Sequence, residues 1–331
     1  MSVLSFLYSQ LFVTPPLPQY DFTGQTFVIT GGNTGLGLEA ARHLVRLKAA
    51  RIILGVRSLS RGEEAVRSLN IPPGSCEIEV LLLNLESYDS VKGFAAKVAE
   101  HGARIDAVLL NAGKATQDFY LAEGNESTLT VNVMSTFLLL ILLLPGLRLS
   151  AARYGSIPRI SIVASDRHVE SNLPEWREKD PFAVLNDANR ADMNKRYHVS
   201  KLLQILLVRA LAECLATQKQ EFHVSVNTLT PGLCRSSLIR DLRGLFAIQL
   251  AIMILLLART TEVGSRTLVH AIGQGAESHG KYMNDGKIQE HALSAFVRSP
   301  EGKQASEKMW EELMIKLEVH QPNIRDLVRT R

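Results

Sequence analysis

From residue 25 onward, short apolar runs rich in β-branched residues alternate with longer amphipathic segments. The runs TFVIT, RIILGV and DAVLLN are separated by stretches with helical spacing, such as LEAARHLVRL after the first. Near-continuous apolar strands separated by helices indicate a parallel sheet covered on both faces, because parallel neighbours need crossover connections. The alternation therefore predicts an α/β chain with a doubly wound parallel sheet.

Size and composition limit the classes of protein that this chain can belong to. It has 331 residues, of which 46% are hydrophobic, so it can bury a full core and is not disordered. Its 37 basic and 33 acidic residues are scattered, so no nucleic-acid partner is expected. The cysteines, Cys76, Cys214 and Cys234, lack metal-ligand spacing. We expect no metal site, no disulfide framework and a reducing, cytoplasmic location.

The chain shows no internal linker or long repeat that would divide it into domains. We therefore expect a single domain over residues 21–331, preceded by an arm of residues 1–20. The arm begins with MSVLSFLYSQLFV, which is apolar but lacks the basic region and cleavage site of a signal peptide. It continues into TPPLP, which ends any helix. We interpret the arm as a segment that packs on the domain.

The first predicted strand ends in the glycine-rich turn TGGNTGLG, and a helix begins directly after it. Glycines let the backbone turn tightly and approach a pyrophosphate, while the helix N-terminus offers unpaired N–H groups and a positive dipole end. A strand before and a helix after are the context that dinucleotide binding requires, and a plain tight turn is the alternative. The predicted cofactor contacts in this turn are Gly31, Asn33, Thr34, Gly35, Leu36 and Gly37.

The ends of the next two strands indicate which nucleotide is bound. The second strand ends in Arg57, whereas an acidic residue there would favour the ribose hydroxyl of NAD. A guanidinium suits a phosphate, so we predict NADP as the cofactor over NAD, with a solvated surface arginine as the alternative. The third strand ends in Asn84, which either hydrogen-bonds the adenine or caps the next helix, and Leu85 after it is a further predicted cofactor contact.

The fourth strand ends at Asn111, Ala112 and Gly113, where a flat ring could lie against small residues. An ordered set of motifs now resembles the short-chain dehydrogenase/reductases over most of the chain. The motifs are TGGNTGLG, NAG, Asn132 in LTVNVMSTF, Ser165 in ISIVAS, YHVSK at 197–201 and TPG at 230–232. The resemblance implies a single-domain Rossmann fold that interconverts a carbonyl and an alcohol with NAD(P).

Two further features place the resemblance within that family. The long interval between Ser165 and Tyr197, with GKYMNDGKI at 280–288, is most similar to the retinol-dehydrogenase-like branch. Fungal reductases of natural-product pathways form a similar group. The resemblance therefore implies a lipophilic small-molecule substrate and a role in secondary metabolism. Thr34 departs from the pattern, because many NADP-preferring relatives carry a basic residue there.

By this resemblance Asn132, Ser165, Tyr197 and Lys201 form a catalytic tetrad. Tyr197 donates its phenolic proton to a carbonyl as hydride arrives, or removes the alcohol proton in the reverse direction. Lys201 follows one helical turn later, where its charge is expected to lower the pKa of Tyr197. The resemblance also implies that Lys201 holds the nicotinamide ribose and that Ser165 hydrogen-bonds the substrate oxygen. It implies that Asn132 holds a water of the proton relay.

Each tetrad member has an ordinary structural alternative, since serines cap turns and asparagines bond backbone. A Ser/His hydrolase built on Ser165 and His198 is disfavoured, because no GxSxG elbow surrounds Ser165 and His198 points to a different helix face from Tyr197. A rival from another class is a non-catalytic nucleotide-binding sensor or scaffold. Such proteins typically lose a catalytic residue, and all four are present here.

After the sixth predicted strand, the family's loop closes over the nicotinamide. The contacts predicted there are Pro231, Gly232, Leu233 and Ser236. The charged segment 166–196, with Trp176 and Phe182 as its anchors, is expected to form a flap near the substrate mouth.

Residues 233–260 are expected to form a substrate lid. Within them, residues 244–258, GLFAIQLAIMILLLA, are apolar on every helix face but too short to cross a bilayer. Two interpretations stay open. The segment is the wall of an apolar pocket or a homo-oligomer contact, or it makes a peripheral membrane contact with Arg243 and Arg259 at headgroup level.

Overall fold

The structure, a computed structural model, describes residues 3–100, 104–217, 224–235 and 244–329. A central sheet and a separate hairpin account for the strands in these residues. The central sheet contains β1 (Thr26–Thr30), β2 (Arg51–Val56), β3 (Glu77–Leu82), β4 (Ala107–Leu110), β7 (Arg159–Val163), β8 (Ser225–Thr230), β9 (Tyr282–Asn284) and β10 (Lys287–Ile288). The hairpin pairs β5 (Leu121–Ala122) with β6 (Asn125–Glu126).

The strand order in the central sheet is β10-β9-β8-β7-β4-β1-β2-β3. All neighbours pair in parallel except β10, which returns antiparallel along β9. The doubly wound parallel sheet predicted from the sequence is confirmed. Winding reverses between β1 and β4, and ligands of such sheets bind outside the carboxyl ends of the strands at this reversal.

Helices cover both faces of the sheet. They are α1 (Val3–Phe12), α2 (Gly35–Arg46), α3 (Leu59–Ser68), α4 (Tyr88–Glu100), α5 (Ser127–Leu129), α6 (Ser135–Tyr154), α7 (Pro181–Leu185), α8 (Met193–Ala216), α9 (Gly244–Leu257), α10 (Thr261–Gly273), α11 (Ala295–Arg298), α12 (Pro300–His320) and α13 (Ile324–Val328). Strand side chains alternate between two cores: Phe27 and Ile29 pack with α2 and α10, whereas Val28 packs with α4, α6 and α8. This buries both faces and leaves the carboxyl edge for a site.

A long apolar helical stretch, residues 127–154, runs from α5 through a π-helical segment (Thr130–Met134) into α6. Among the described residues it is the stretch long and apolar enough to span a bilayer. However, 94% of its most apolar part is buried inside the protein. It is therefore a core helix, which holds the π-helical segment rigidly beside β4.

The segment between β7 and α8 folds as a series of short helices. They are the 3₁₀ helices Asp166–Glu170 and Pro174–Arg177, followed by α7. Phe182 is fully buried, and Trp176 packs against the core. Near the start of α8, Arg196 lies beside the buried Glu126 with 3.5 Å between Nε and Oε2. These contacts fix the start of α8, the helix that carries Tyr197.

Candidate active site

The glycine turn after β1 is held by contacts with the ends of β2 and β4. Gly31 donates its N–H to Gly55 O (2.8 Å), and Ala112 donates its N–H to Thr30 Oγ1 (3.0 Å). The Asn111 amide donates to Thr30 O (3.0 Å) and to Gly31 O (3.2 Å). The side chain of Asn111 therefore shapes the glycine turn by donating hydrogen bonds to the backbone of the turn.

The geometry of this turn fits the pyrophosphate of a dinucleotide. A Cβ on Gly37 would lie 2.5 Å from Gly31 O, so the helix start and the turn approach more closely than any other residue permits. Gly35 has φ of +58° and faces open space. Thr34 begins α2 without capping it through its side chain. The first N–H groups of α2 are thus available to an anion.

The adenosine side of the predicted site lies at the ends of β2 and β3. Arg57 is exposed there. Burial opposes ionisation of Glu86, but hydrogen bonds from Lys114 and Tyr120, together with the charges of Lys114 and Arg57, hold its pKa below the usual value. The charge of Arg57 therefore helps to stabilise a carboxylate anion at this edge of the sheet.

Asn84 and Leu85 follow β3. Asn84 Oδ1 accepts the N–H of Glu86 (3.1 Å), so its oxygen is used in a local turn before α4, and the side chain that accepts an N–H in the first turn of that helix is Ser87. Leu85 is buried in the core. Its side chain is therefore turned away from a cofactor at this edge.

The end of β4 meets the predicted tetrad at Gly113. A Cβ at this position would lie 3.3 Å from Asn132 Oδ1 and 3.6 Å from Lys201 Nζ. Asn132 lies in the π-helical segment, a geometry that often marks functional positions. The strand that bears NAG and the helix that bears YHVSK therefore converge on one small volume.

The side chains of Ser165 and Tyr197 lie close enough to interact, and this interaction acts to lower the pKa of Tyr197. Ser165 caps the 3₁₀ helix that follows β7, where its Oγ accepts the N–H of Arg167 (3.2 Å) and donates to Asp166 Oδ1 (3.1 Å). Burial raises the pKa of Tyr197 well above its ordinary value; the interaction with Ser165 opposes this rise, and the Asp166 charge adds to it. Tyr197 is thus held as the protonated phenol.

Lys201 lies one turn after Tyr197, with its Nζ 5.4 Å from the centre of the tyrosine ring. The Nζ donates to Val163 O (2.7 Å) and to Gln204 Oε1 (3.1 Å). Burial lowers the pKa of Lys201 to about 7. The net shift of the Tyr197 pKa is opposite to the expected lowering by Lys201, because burial disfavours the charged form of each group.

Gln204 is a site residue that the sequence analysis missed. Its Oε1 accepts from Lys201, and its Nε2 donates to Asn132 O (2.7 Å). The Asn132 side chain is used elsewhere: its amide donates to Lys114 O and Ser200 Oγ (2.9 Å each), and its Oδ1 accepts the N–H of Lys114 (2.8 Å). The available signal was the spacing of Lys201 and Gln204, which puts both on one helix face.

The loop after β8 touches the same cluster. Thr230 Oγ1 accepts the backbone N–H groups of Asp166 and of Gly232 (3.2 Å each). Gly232 has φ of +74°, which favours glycine. The predicted contacts Pro231 to Leu233 therefore lie next to Ser165, whereas Ser236 lies outside the described residues.

The lid helix α9 exposes a row of large apolar side chains. Ile252, Leu255 and Leu256 are 54%, 72% and 70% exposed. Arg259 does not reach a membrane surface, contrary to the headgroup interpretation, because it is buried and pairs with Asp285 at 2.6 Å. Arg243 lies outside the described residues.

Two other features lie apart from the cluster. His198 Nδ1 is 3.4 Å from Glu170 Oε2, so His198 faces Glu170 and not Ser165. A cavity of about 790 Å³ lies behind the flap, lined by residues such as Glu170, Arg177 and Glu301. No tetrad member lines this cavity. The chemistry suggested by the cluster must therefore take place at the carboxyl edge of the sheet.

The sequence of this chain is similar to those of several known proteins. Residues 25–173 match the family model described as short chain dehydrogenase. The short-chain dehydrogenase anuD of Penicillium roqueforti is 54% identical over 327 residues, which covers 98% of this chain and 85% of the relative. The short chain dehydrogenase/reductase dmxR8 of Cryptosporiopsis sp. is 44% identical over 327 residues, covering 97% of this chain and 99% of the relative.

Solved structures share the fold. The Pseudomonas aeruginosa RhlG/NADP active-site complex has a TM-score of 0.60 and 21% identity, over 81% of this chain and 96% of that one. A 3-ketoacyl-(acyl-carrier-protein) reductase from Brucella melitensis complexed with NADH has a TM-score of 0.57 and 18% identity, over 80% and 97%. One neighbour carries NADP and the other NADH, so the likeness establishes the fold and leaves the choice of nucleotide to the site.

Proposed function

The chain belongs to the short-chain dehydrogenase/reductase family, and from that premise we propose that it is an NADPH-dependent reductase of a lipophilic ketone or aldehyde. Membership makes it an NAD(P)-dependent oxidoreductase. The finer parts of the proposal are the choice of NADP, the direction of the reaction, the class of substrate and a cytoplasmic role in secondary metabolism.

One observation carries the proposal. The neighbouring side chains of Ser165 and Tyr197, the buried Lys201 and the glycine turn all lie at the carboxyl edge of one sheet. A sensor or scaffold that only binds the nucleotide has no need of a proton donor beside the substrate position, and here Ser165 and Tyr197 are both present next to Lys201. The cluster therefore favours an enzyme over the scaffold alternative.

The bound nicotinamide would supply the hydride, and the residues of this chain handle the proton. Tyr197, kept protonated by burial, gives its phenolic proton to the substrate oxygen. The Ser165 hydroxyl, which donates to Asp166 in this structure, turns to donate to the same oxygen. Lys201, when charged, stabilises the phenolate that Tyr197 leaves behind. A protonated tyrosine at neutral pH supports reduction as the working direction.

Arg57 supports NADP as the cofactor, because an exposed guanidinium at the end of β2 can pair with a 2′-phosphate. The charge of the nearby Glu86 carboxylate is balanced by its ion pair with Lys114, and the carboxylate also accepts a hydrogen bond from Tyr120. Initial rates with NADPH and with NADH at a fixed substrate concentration test the choice. Equal kcat/KM for the two cofactors would contradict it.

A lipophilic substrate and a membrane contact are supported by α9. Its exposed Ile252, Leu255 and Leu256 carry no charge, and the flanking helix α1 exposes Leu4 and Phe12 as well. We propose that this surface docks on a lipid bilayer and admits substrate from it. In liposome flotation, wild-type protein should float and the Ile252→Glu/Leu256→Glu variant should not. If wild type stays soluble, or both float equally, this surface is a subunit contact or a pocket wall instead.

The direct experiment is a panel of ketones and aldehydes of increasing lipophilicity, mixed with the protein and NADPH. Loss of the absorbance of the reduced nicotinamide reports turnover. We expect turnover with lipophilic members of the panel. Tight NADPH binding without turnover on any member would support the scaffold alternative.

A further inference from the structure

The N-terminal helix α1 is oriented opposite to an ordinary surface helix. Its polar residues Ser9 and Gln10 are buried, at 7% and 9% exposure, whereas Leu11 and Phe12 are exposed by 53% and 74%. Polar side chains on the buried side of a helix cost free energy unless they find partners. The inward face of α1 is therefore built for specific hydrogen bonds.

Both polar atoms of the Gln10 side-chain amide form hydrogen bonds with segments of the site. Its Oε1 accepts the backbone N–H of Leu233 (3.1 Å), and its Nε2 donates to Leu233 O (3.0 Å) and to Leu257 O (3.0 Å). Leu233 follows the Pro-Gly pair after β8, and Leu257 ends the lid helix α9. A single side chain therefore joins the arm, the loop and the lid.

Gly232 shows how closely Gln10 approaches the loop. A Cβ on Gly232 would lie 2.3 Å from Gln10 Oε1 and 3.0 Å from Arg259 Nη1. The loop backbone thus presses against the arm on one side. On the other side it is tied to the residue after Ser165, because Thr230 Oγ1 accepts the N–H groups of both Asp166 and Gly232.

Buried charges anchor α1 in this place. Arg259 Nη2 donates to Ser9 O (2.7 Å), Val13 O (2.9 Å) and Asp285 Oδ1 (2.6 Å), and Ser9 Oγ donates to Asp285 as well (2.8 and 2.9 Å). Arg259 Nη1 also reaches Pro231 O (3.3 Å). A guanidinium at the carbonyl end of a helix is favourable, and removing either charge would leave the other unpaired.

We propose that α1 is a functional part of the cofactor site, with Gln10 as the positioning residue that holds the loop 231–234 in the conformation that closes on the nicotinamide. The inference rests on the proposed function for the identity of the ligand. The hydrogen bonds that carry it are independent of that identity. Without Gln10, the N–H of Leu233 loses its acceptor and Leu257 O loses the bond that joins it to the loop, whereas Leu233 O keeps the N–H of Arg259 (2.9 Å).

The test uses Gln10→Met, which keeps side-chain length and removes both polar groups. The matched control is Leu11→Ala, which truncates an exposed neighbour on the same helix. NADPH binding is measured by fluorescence titration, and kcat separately at saturating NADPH. We expect Gln10→Met to weaken NADPH binding by about tenfold, the order expected for one to two net hydrogen bonds, and Leu11→Ala to leave it unchanged. At saturating NADPH, kcat should fall much less than affinity.

A second measurement needs no cofactor. Hydrogen exchange of cofactor-free protein compares the peptide covering residues 229–235 with the peptide covering the glycine turn 30–37. Exchange of the loop should accelerate in Gln10→Met, while the glycine turn should be unaffected. If wild type fails to bind NADPH, the proposed function fails and the exchange comparison still tests the loop contact. Unchanged loop exchange, or equal acceleration at both peptides, would overturn the inference.

Discussion

The carboxyl edge of the sheet has two sides that are built from different parts. The glycine-turn side (residues 30–37, 57 and 111–113) is mostly backbone, shaped by glycines and by main-chain hydrogen bonds. The tyrosine side (Asn132, Ser165, Tyr197, Lys201 and Gln204) is a cluster of polar side chains, all of them buried except the half-buried Tyr197. Backbone N–H groups bind a phosphate and do not change protonation state with pH. Burial, in contrast, shifts the pKa values of ionisable side chains and lowers the stability of the fold. We therefore expect binding to depend on the first side and turnover on the second.

The largest effect is expected from the tyrosine side. Tyr197→Phe removes the proton donor and leaves the glycine turn untouched, so kcat should fall by about 100-fold or more. NADPH affinity should change by less than about threefold. Steady-state rates and fluorescence titration measure the two quantities. A variant that kept more than about a tenth of the wild-type kcat would show that Tyr197 is not the acid.

Gly37→Ala is the counterpart on the glycine-turn side. Its Cβ would meet Gly31 O at 2.5 Å, so the turn must open and NADPH affinity should fall by about 30-fold. The matched control is Gly93→Ala in α4, where a Cβ has nothing within 4 Å. Both variants are titrated with NADPH under the same conditions. Equal NADPH affinities for the two variants would contradict the expectation that cofactor binding depends on the glycine-turn side.

Arg57→Asp changes the choice of nucleotide and should leave the chemistry unaffected. It replaces a phosphate partner with a repelling carboxylate, so kcat/KM with NADPH should fall by about tenfold more than with NADH. Arg67→Asp, at the exposed far end of α3, makes the same charge change and serves as the control. A parallel loss with both cofactors would mean that Arg57 does not contact the 2′-phosphate.

The smallest effect concerns the stability cost of Lys201. Its pKa is about 7 in the folded protein and higher when unfolded, so the unfolded state binds more protons above pH 7. Wild-type stability should therefore rise relative to Lys201→Met by up to about 2 kcal/mol between pH 7 and pH 9. Urea unfolding of both proteins at each pH measures the difference. A gap that does not change with pH would mean that Lys201 titrates normally.

The glycine-turn side and the alternation of strands and helices could be predicted because their signals are local. An apolar run, a glycine turn and an amphipathic segment fix β1, the turn and α2 within about 20 residues of chain. The tetrad was found because its members stand in recognisable motifs. β10 and Gln204 were missed: the strand has two residues, and a glutamine has no motif of its own.

Other parts could not be predicted because they depend on contacts between distant residues. Gln10 and Leu233 are 223 positions apart, and nothing near either of them indicates the other. Arg259 was expected at a membrane surface, since its neighbours are apolar, yet Asp285 and the carbonyls of α1 draw it inward. The rise in the Tyr197 pKa likewise follows from burial by the whole fold and not from the spacing to Lys201.

The two sides are proposed to form one reductase site. The hydride of a nucleotide bound by the glycine-turn side would then reach a substrate held by the tyrosine side. The most direct measurement uses NADPH carrying deuterium at the transferable position, together with a ketone that is turned over. Mass spectrometry of the alcohol product should find one deuterium on the carbinol carbon with wild type, and about 100-fold less product or lower in the same time with Tyr197→Phe. Product without deuterium, or labelled product at the wild-type rate from Tyr197→Phe, would contradict the account.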